Sequence, residues 1–170
     1  ESSLSKNENT AFHPISPYAI AKVQAYWTTR LYRESYGMFT VNGILFNHES
    51  PLRGIDYVTR KISNGVAKIS LDIEKSLKLG NLDAKRDWGF APEYIEGIHS
   101  MMKQKKPDDY ILATGETHSI KEFVREACKV ANISTAKIKS EKSNLRPNDI
   151  QTIKGNYSKA KKLLGWKPET

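Results

Sequence analysis

The chain has 170 residues, 38% of them hydrophobic and 27% charged, a balance that excludes a disordered or low-complexity polymer and fits a globular chain with a real core. No apolar run reaches the roughly 20 residues needed to span a bilayer. The formal charge of +8 invites an anionic partner, but the lysines are spread along the chain. Their densest runs, "KQKK" at 103–106 and "KAKK" at 159–162, sit near predicted helix ends with no nucleic-acid-binding motif or arrayed aromatics beside them. A nucleotide carrying several phosphates explains the basic balance equally well, so no nucleic acid and no membrane are expected as partners.

The opening stretch, "ESSLSKNENT", is polar and has no basic-then-apolar signal. "ISPYAIAKVQAYW" follows. Ser16 suits an N-cap and Pro17 the first helical position, where it has no hydrogen bond to lose. Val23, Tyr26, Trp27 and Leu31 predict an apolar stripe on a helix over about 17–35, closed by Gly37. Tyr18 and Lys22 are four residues apart, so they share one face. A cation held beside a phenol favours phenolate, which makes a tyrosine a usable base nearer neutral pH. The same pair also fits an ordinary amphipathic helix with a Tyr and a Lys on its wet side.

"MFTVNGILF" reads as a buried strand, and "NHESPLRGID" as a polar loop. A helix is predicted over about 57–67 and a short strand near "LKLGN". "RDWGFAPEYIEGIHSMM" reads as a loop entering a helix with Pro92 in its first turn. "DYILATG" is a strand. Ser119 and Glu122 form a capping box before the helix "IKEFVREACKVA". "AKIKS" suggests another short strand. "SKAKKLL" is a last helix, closed by Gly165 and followed by Pro168. Alternating strands and helices predict an α/β chain. Cys128 is the only cysteine, so no intrachain disulfide forms, and His13, His48, His99 and His118 are too dispersed for a local metal motif. A cytoplasmic location follows as the simplest expectation. The ten glycines nowhere form G-x-G-x-x-G.

The stretch "SPYAIAKVQAYWTTRLYRESYGMFTVNGILFNHESPLRG", followed in order by "VTRKI", "LGNLDAKRDWG", "YILATG", "RP" and "KLLGWKP", resembles the GDP-mannose 4,6-dehydratases of the extended short-chain dehydrogenase/reductases. The resemblance runs over nearly the whole chain. It implies the C-terminal part of an NAD(P)-binding Rossmann-like fold plus the smaller α/β sugar-nucleotide domain. Residues 1–56 would be the end of the Rossmann domain, and residues 57–170 mainly the substrate domain, returning to the Rossmann sheet near 77–115. The family's glycine-rich NADP loop and its catalytic Thr and Glu would lie in an N-terminal half outside this sequence. The chain is thus expected to be a truncated or split portion, inactive alone, with an exposed strand that favours self-association.

By the same resemblance, Tyr18 is the base for the C4 hydroxyl proton, and Lys22 supports it and holds the nicotinamide ribose. His48 and Arg53 match NADP-contacting positions. Asn47, Lys61, Arg86 and Arg146 match positions lining the GDP-mannose site, where an arginine fork suits a diphosphate. A nucleotide-covering loop between Ile133 and Arg146 is expected to be shorter than in many members. Trp88 and Trp166 read as packing residues. Partners implied are GDP-mannose, a homo-oligomer (dimer or tetramer), or the missing N-terminal half. Three further readings remain: a non-catalytic nucleotide-sugar-binding module, another nucleotide-sugar epimerase or dehydratase, and a basic nucleic-acid-binding domain.

Overall fold

The computed structural model describes residues 5–141 and 150–170. Its contacts divide the chain into two interleaved units, one made of residues 1–48, 87–116 and 154–170, the other of residues 49–86 and 117–153.

The first unit opens with helix α1, Pro17–Tyr36, started as its residues dictate. The Ser16 hydroxyl accepts from the Ala19 N–H at 3.1 Å, and Gly37 ends the helix at φ 61°. That left-handed turn costs glycine nothing and strains any residue with a Cβ. Strand β1, Asn42–Leu45, lies parallel to β6, Asp109–Leu112, with Asn42 opposite Asp109 and Leu45 opposite Leu112. A parallel partner explains why β6 is buried along its whole length. Helix α3, Ala91–Met102, has Pro92 in its first turn and packs against both strands and against α5, Ser158–Leu164. Tyr94, Met101, Tyr110, Leu112, Ala160 and Trp166 form the core between them. Trp166 is a packing residue, as its sequence position suggested: it is 6% exposed, and its indole N–H donates to the Glu93 carbonyl at 2.7 Å.

Two carboxylates organise this unit. Asp87 is fully buried and accepts from the backbone N–H groups of Thr114, Gly115 and Gly155 and from the Thr114 hydroxyl, at 2.7–3.0 Å. Glu8 accepts from the Ile111 N–H at 2.9 Å, while Lys6 exchanges backbone bonds with Lys154 and Asn156. The opening segment therefore satisfies the Ile111 backbone donor of β6 through Glu8.

The second unit is built on two amphipathic helices. In α2, Val58–Ser70, residues Ile62, Val66 and Ile69 share one buried face. Gly65 lets α2 approach β3, Leu77–Leu79, because a Cβ there would stand 2.8 Å from the Leu77 side chain. Helix α4, Ile120–Val130, carries the expected capping box: the Ser119 hydroxyl accepts from the Glu122 N–H at 3.1 Å, and the Glu122 carboxylate accepts from the Ser119 N–H at 2.6 Å. Its Val124 and Cys128 pack on the α2 face, with Leu77, Leu79 and Ile138, and burial of each large aliphatic contributes about 1.5–3 kcal/mol. β3 runs parallel to β8, Ile138–Ser140, which follows a single 3-10 turn at Thr135–Lys137. A ribbon completes the unit: β4, Lys85–Arg86, is flanked by antiparallel β7, His118–Ser119, and parallel β9, Thr152–Ile153.

Three sequence expectations need correction. The strand read into "MFTVNGILF" is only its middle; Met38 and Phe39 are exposed and precede it. The "NHESPLRGID" loop begins with a strand, β2, Asn47–Glu49, and "RDWGF" contains β5, Trp88–Phe90, its partner. The predicted stripe on α1 is rotated. Of Val23, Tyr26, Trp27 and Leu31 only Tyr26 is buried, and Trp27 and Leu31 are more than half exposed. Arg33, outside the predicted stripe, reaches Asp109 on β6 at 2.7 Å.

Candidate active site

Tyr18 and Lys22 stand on the first two turns of α1. The cap at Ser16 fixes where the helix begins, so it fixes both residues. The Lys22 ammonium lies 5.4 Å from the centre of the Tyr18 ring, within cation–π range, and both side chains face solvent. An exposed phenol under a cation is a group that can give up a proton to, or take one from, a ligand docked on that face.

Asn47 and His48 lie side by side on β2. His48 Nδ1 is 2.9 Å from the Phe46 carbonyl oxygen. A carbonyl oxygen only accepts, so Nδ1 is the donor in this contact. The ring lies 5.3 Å from that of Tyr94, which is fully buried. Burial pushes the Tyr94 phenol well up, with the charges of Asp87 and Glu93 adding to the effect.

In the second unit, Arg53 follows a tight turn at Ser50, whose carbonyl accepts from the Arg53 backbone N–H at 3.0 Å. Its guanidinium carbon sits 3.6 Å over the Tyr57 ring. Its Nε is 3.2 Å from Glu49 Oε2 but off the line of a hydrogen bond, which leaves a buried donor unsatisfied. Glu49 is meanwhile held by the Thr59 hydroxyl at 2.6 Å. Lys61 is exposed on the second turn of α2. On β4, Arg86 directs Nη1 to the carbonyls of Lys85 at 2.8 Å and Ile150 at 2.7 Å. Arg146 lies outside the described residues. The structure therefore groups Tyr18 with Lys22 and Asn47 with His48 in the first unit, and holds Arg53, Lys61 and Arg86 on separate elements of the second.

One cluster escaped the sequence reading. Asp109, at the start of β6, accepts from the Tyr26 hydroxyl at 2.8 Å, from Arg33 Nη2 at 2.7 Å and from the Asn42 side-chain amide at 2.9 Å. Burial alone would raise its carboxyl; the bonds from Arg33, Asn42 and Tyr26, with the Arg33 charge, outweigh burial and hold it below the ordinary value. No local spacing signals this cluster, because Asp109 is 83 residues from Tyr26 and 76 from Arg33.

Residues 2–170 match the family model described as GDP-mannose 4,6 dehydratase. The chain is 47% identical to GDP-mannose 4,6 dehydratase 1 of Arabidopsis thaliana over 165 residues, which is 96% of this chain and 46% of that protein. It is 42% identical to the Homo sapiens GDP-mannose 4,6 dehydratase, over 97% of this chain and 49% of that one. The chain thus spans about half the length of the curated relatives it matches. In fold it is similar to RMD from Pseudomonas aeruginosa complexed with NADPH, with a TM-score of 0.89 at 20% identity over 98% of this chain and 56% of that one. It is also similar to a dTDP-glucose 4,6-dehydratase from Bacillus anthracis in complex with NAD, with a TM-score of 0.88 at 18% identity, all of this chain matching 52% of that one. The fold is therefore the Rossmann-like one of the extended short-chain dehydrogenase/reductases, represented over about half of those chains. Taken with the match from residue 2 to residue 170, the capped Tyr-Lys helix and the His48 strand belong to a member of the GDP-mannose 4,6-dehydratase family.

Proposed function

We propose that this chain takes part in converting GDP-mannose to GDP-4-dehydro-6-deoxymannose and water, with Tyr18 as the proton acceptor. The observation that carries the reading is the Tyr18–Lys22 pair, exposed on a capped helix in a chain that matches the family over residues 2–170. The phenolate of Tyr18 would take the proton of the sugar C4 hydroxyl, and the Lys22 charge would stabilise that phenolate.

A nicotinamide dinucleotide, when bound, supplies the acceptor for the C4 hydride and its return to C6, so no net redox change remains. Two features fit such a group. Tyr18 and Lys22 offer adjacent polar atoms to a ribose diol, and the buried Arg53 Nε lacks an aligned partner. His48 and Arg53 are assigned to that cofactor, taken as NADP because the resemblance to the GDP-mannose 4,6-dehydratases implies it. Asn47, Lys61, Arg86 and Arg146 are assigned to the sugar nucleotide, the arginines to its diphosphate. Removal of the C5 proton and loss of water from C6 are assigned to no residue of this chain. A homo-oligomer in the cytoplasm completes the reading; the lone, buried Cys128 fits a reducing compartment.

The test is Tyr18→Phe in the protein as its source expresses it, supplied with NADP⁺ and GDP-mannose. Turnover should fall by about 10²–10⁴-fold, the usual worth of a positioned base, with GDP-mannose affinity nearly unchanged. Turnover equal to the unsubstituted protein would remove Tyr18 from the chemistry. Tight GDP-mannose binding without product in the unsubstituted protein would fit a truncated dehydratase and a binding module alike.

A further inference from the structure

A helix of 20 residues with one buried side chain needs an explanation of what holds it. Amphipathic helices normally dock by an apolar face. In α1 that face is reduced to Tyr26, which is 8% exposed, while Ile20, Trp27, Leu31, Tyr32 and Tyr36 are all at least 45% exposed. Apolar burial within the first unit therefore does little to fix where α1 stands along β1 and β6.

The fixing contacts are polar and converge on one carboxylate. Two of the donors to Asp109 come from α1, Tyr26 through Oδ2 and Arg33 through Oδ1. The third, Asn42, comes from β1, which is paired to Asp109 in register. The donors are themselves held. Arg33 Nε donates to the Thr40 carbonyl at 2.8 Å, the Thr40 hydroxyl donates back to the Thr29 carbonyl at 2.9 Å, and Asn42 reaches the Tyr26 carbonyl at 3.3 Å. On the other side, Lys159 of α5 donates to the Asp109 carbonyl at 2.8 Å and pairs with Asp108 at 2.7 Å. Tyr26 also receives the edge of Phe12, 4.7 Å between ring centres, from the segment that leads into the helix.

We infer that Asp109 is a positioning residue for the Tyr18–Lys22 pair, acting as a clamp through Tyr26 and Arg33. Two hydrogen bonds about two turns apart on α1 set both its axial position and its rotation. Lys22 is one turn before Tyr26 and Tyr18 two turns before it, so both follow wherever Tyr26 is held. The inference rests on the reading of Tyr18 as the base. It predicts that loss of the clamp displaces the base without removing it, which lowers kcat and leaves the nucleotide-sugar contacts in place.

The experiment pairs a distance measurement with kinetics. Spin labels are placed at the exposed positions Gln24→Cys on α1 and Glu96→Cys on α3, in a Cys128→Ser background. The unsubstituted protein should give one narrow distance. Asp109→Ala should broaden or split it, and in the protein as its source expresses it should lower kcat by about 100-fold with KM for GDP-mannose within about twofold, the scale of an ångström-sized misplacement. Asp109→Asn keeps an oxygen for Arg33 and Asn42 and should restore most of both readouts. If Asp109→Ala does not fold, Tyr26→Phe removes one donor only and decides the matter in the same two assays. A narrow distance and unchanged kcat in these variants, or a fall in thermal stability alone, overturns the inference. A broadened distance in Asp109→Ala, in a protein whose turnover Tyr18→Phe leaves unchanged, refutes the catalytic reading of Tyr18 and leaves the clamp standing.

Discussion

Replacing Asp87 by alanine should be among the most damaging single changes in the first unit. Its carboxylate is the acceptor for four donors, three of them backbone N–H groups, in a site with no exposed surface. Each buried donor left without a partner costs about 1–3 kcal/mol, so the four together could cost about 4–12 kcal/mol. Water entering the gap and relief from holding a buried carboxylate reduce that sum, and we expect a loss of about 4 kcal/mol. For a chain of this size each kcal/mol moves the midpoint by about 2–4 °C, so the shift should be about 8–16 °C. Asp87→Asn should fare little better. Its oxygen can serve Thr114, but its amide then faces the N–H groups of Gly115 and Gly155, donor against donor. Thr114→Val removes only the hydroxyl bond and should cost about 1 kcal/mol. Thermal and urea unfolding followed by near-UV circular dichroism measures all three. A loss below about 1 kcal/mol for Asp87→Ala would show that the carboxylate is not what holds residues 114, 115 and 155, and would refute the reasoning.

Ser119→Ala removes one half of the α4 capping box and should cost about 1 kcal/mol, read from the same unfolding curves. The Asp109 clamp should weaken in acid. Its folded carboxyl lies below the ordinary value, so its contribution is fully present above the unfolded carboxylate value of about 4 and is lost as pH falls through the lowered folded value. The protection of the amides across Pro17–Tyr36, measured against their intrinsic exchange rates at each pH, should therefore fall in acid, and Asp109→Asn should abolish that acid-dependent step.

What could be read from the sequence was local. The ends of α1 at Ser16 and Gly37, the Ser119–Glu122 box and the Gly165 stop each depend on residues within a few positions of one another, and each is found as expected. So is the closeness of Tyr18 and Lys22, which one turn of helix guarantees. The short strands were not legible in this way. β4, β7 and β9 are two residues long, too short for an alternation pattern, and exist because residues 85–86, 118–119 and 152–153 meet through space. The rotation of α1 escaped for the same reason. Periodicity offered Trp27 and Leu31 as inward-facing, and only the distant Asp109 decides that Tyr26 and Arg33 face in. The buried and unsatisfied Nε of Arg53 is likewise a property of its turn against Glu49 and has no mark in composition.

The interleaving of the two units bears on how the chain is made. The first unit includes residues 154–170, and its core includes Ala160 and Trp166. The second cannot close before β8 and β9, since β3 pairs with Ile138–Ser140 and β4 with Thr152–Ile153. During synthesis the second unit can therefore close only after residue 153 has been made, and the first must wait for residues 154–170 beyond it. α1 and β1 emerge early, yet β1 must wait some 65 residues for β6 and longer for the Trp166 side of the core, a separation that slows folding by the cost of closing long loops. In that interval the edge of β1 is exposed to other chains, so the nascent protein should depend on chaperone protection.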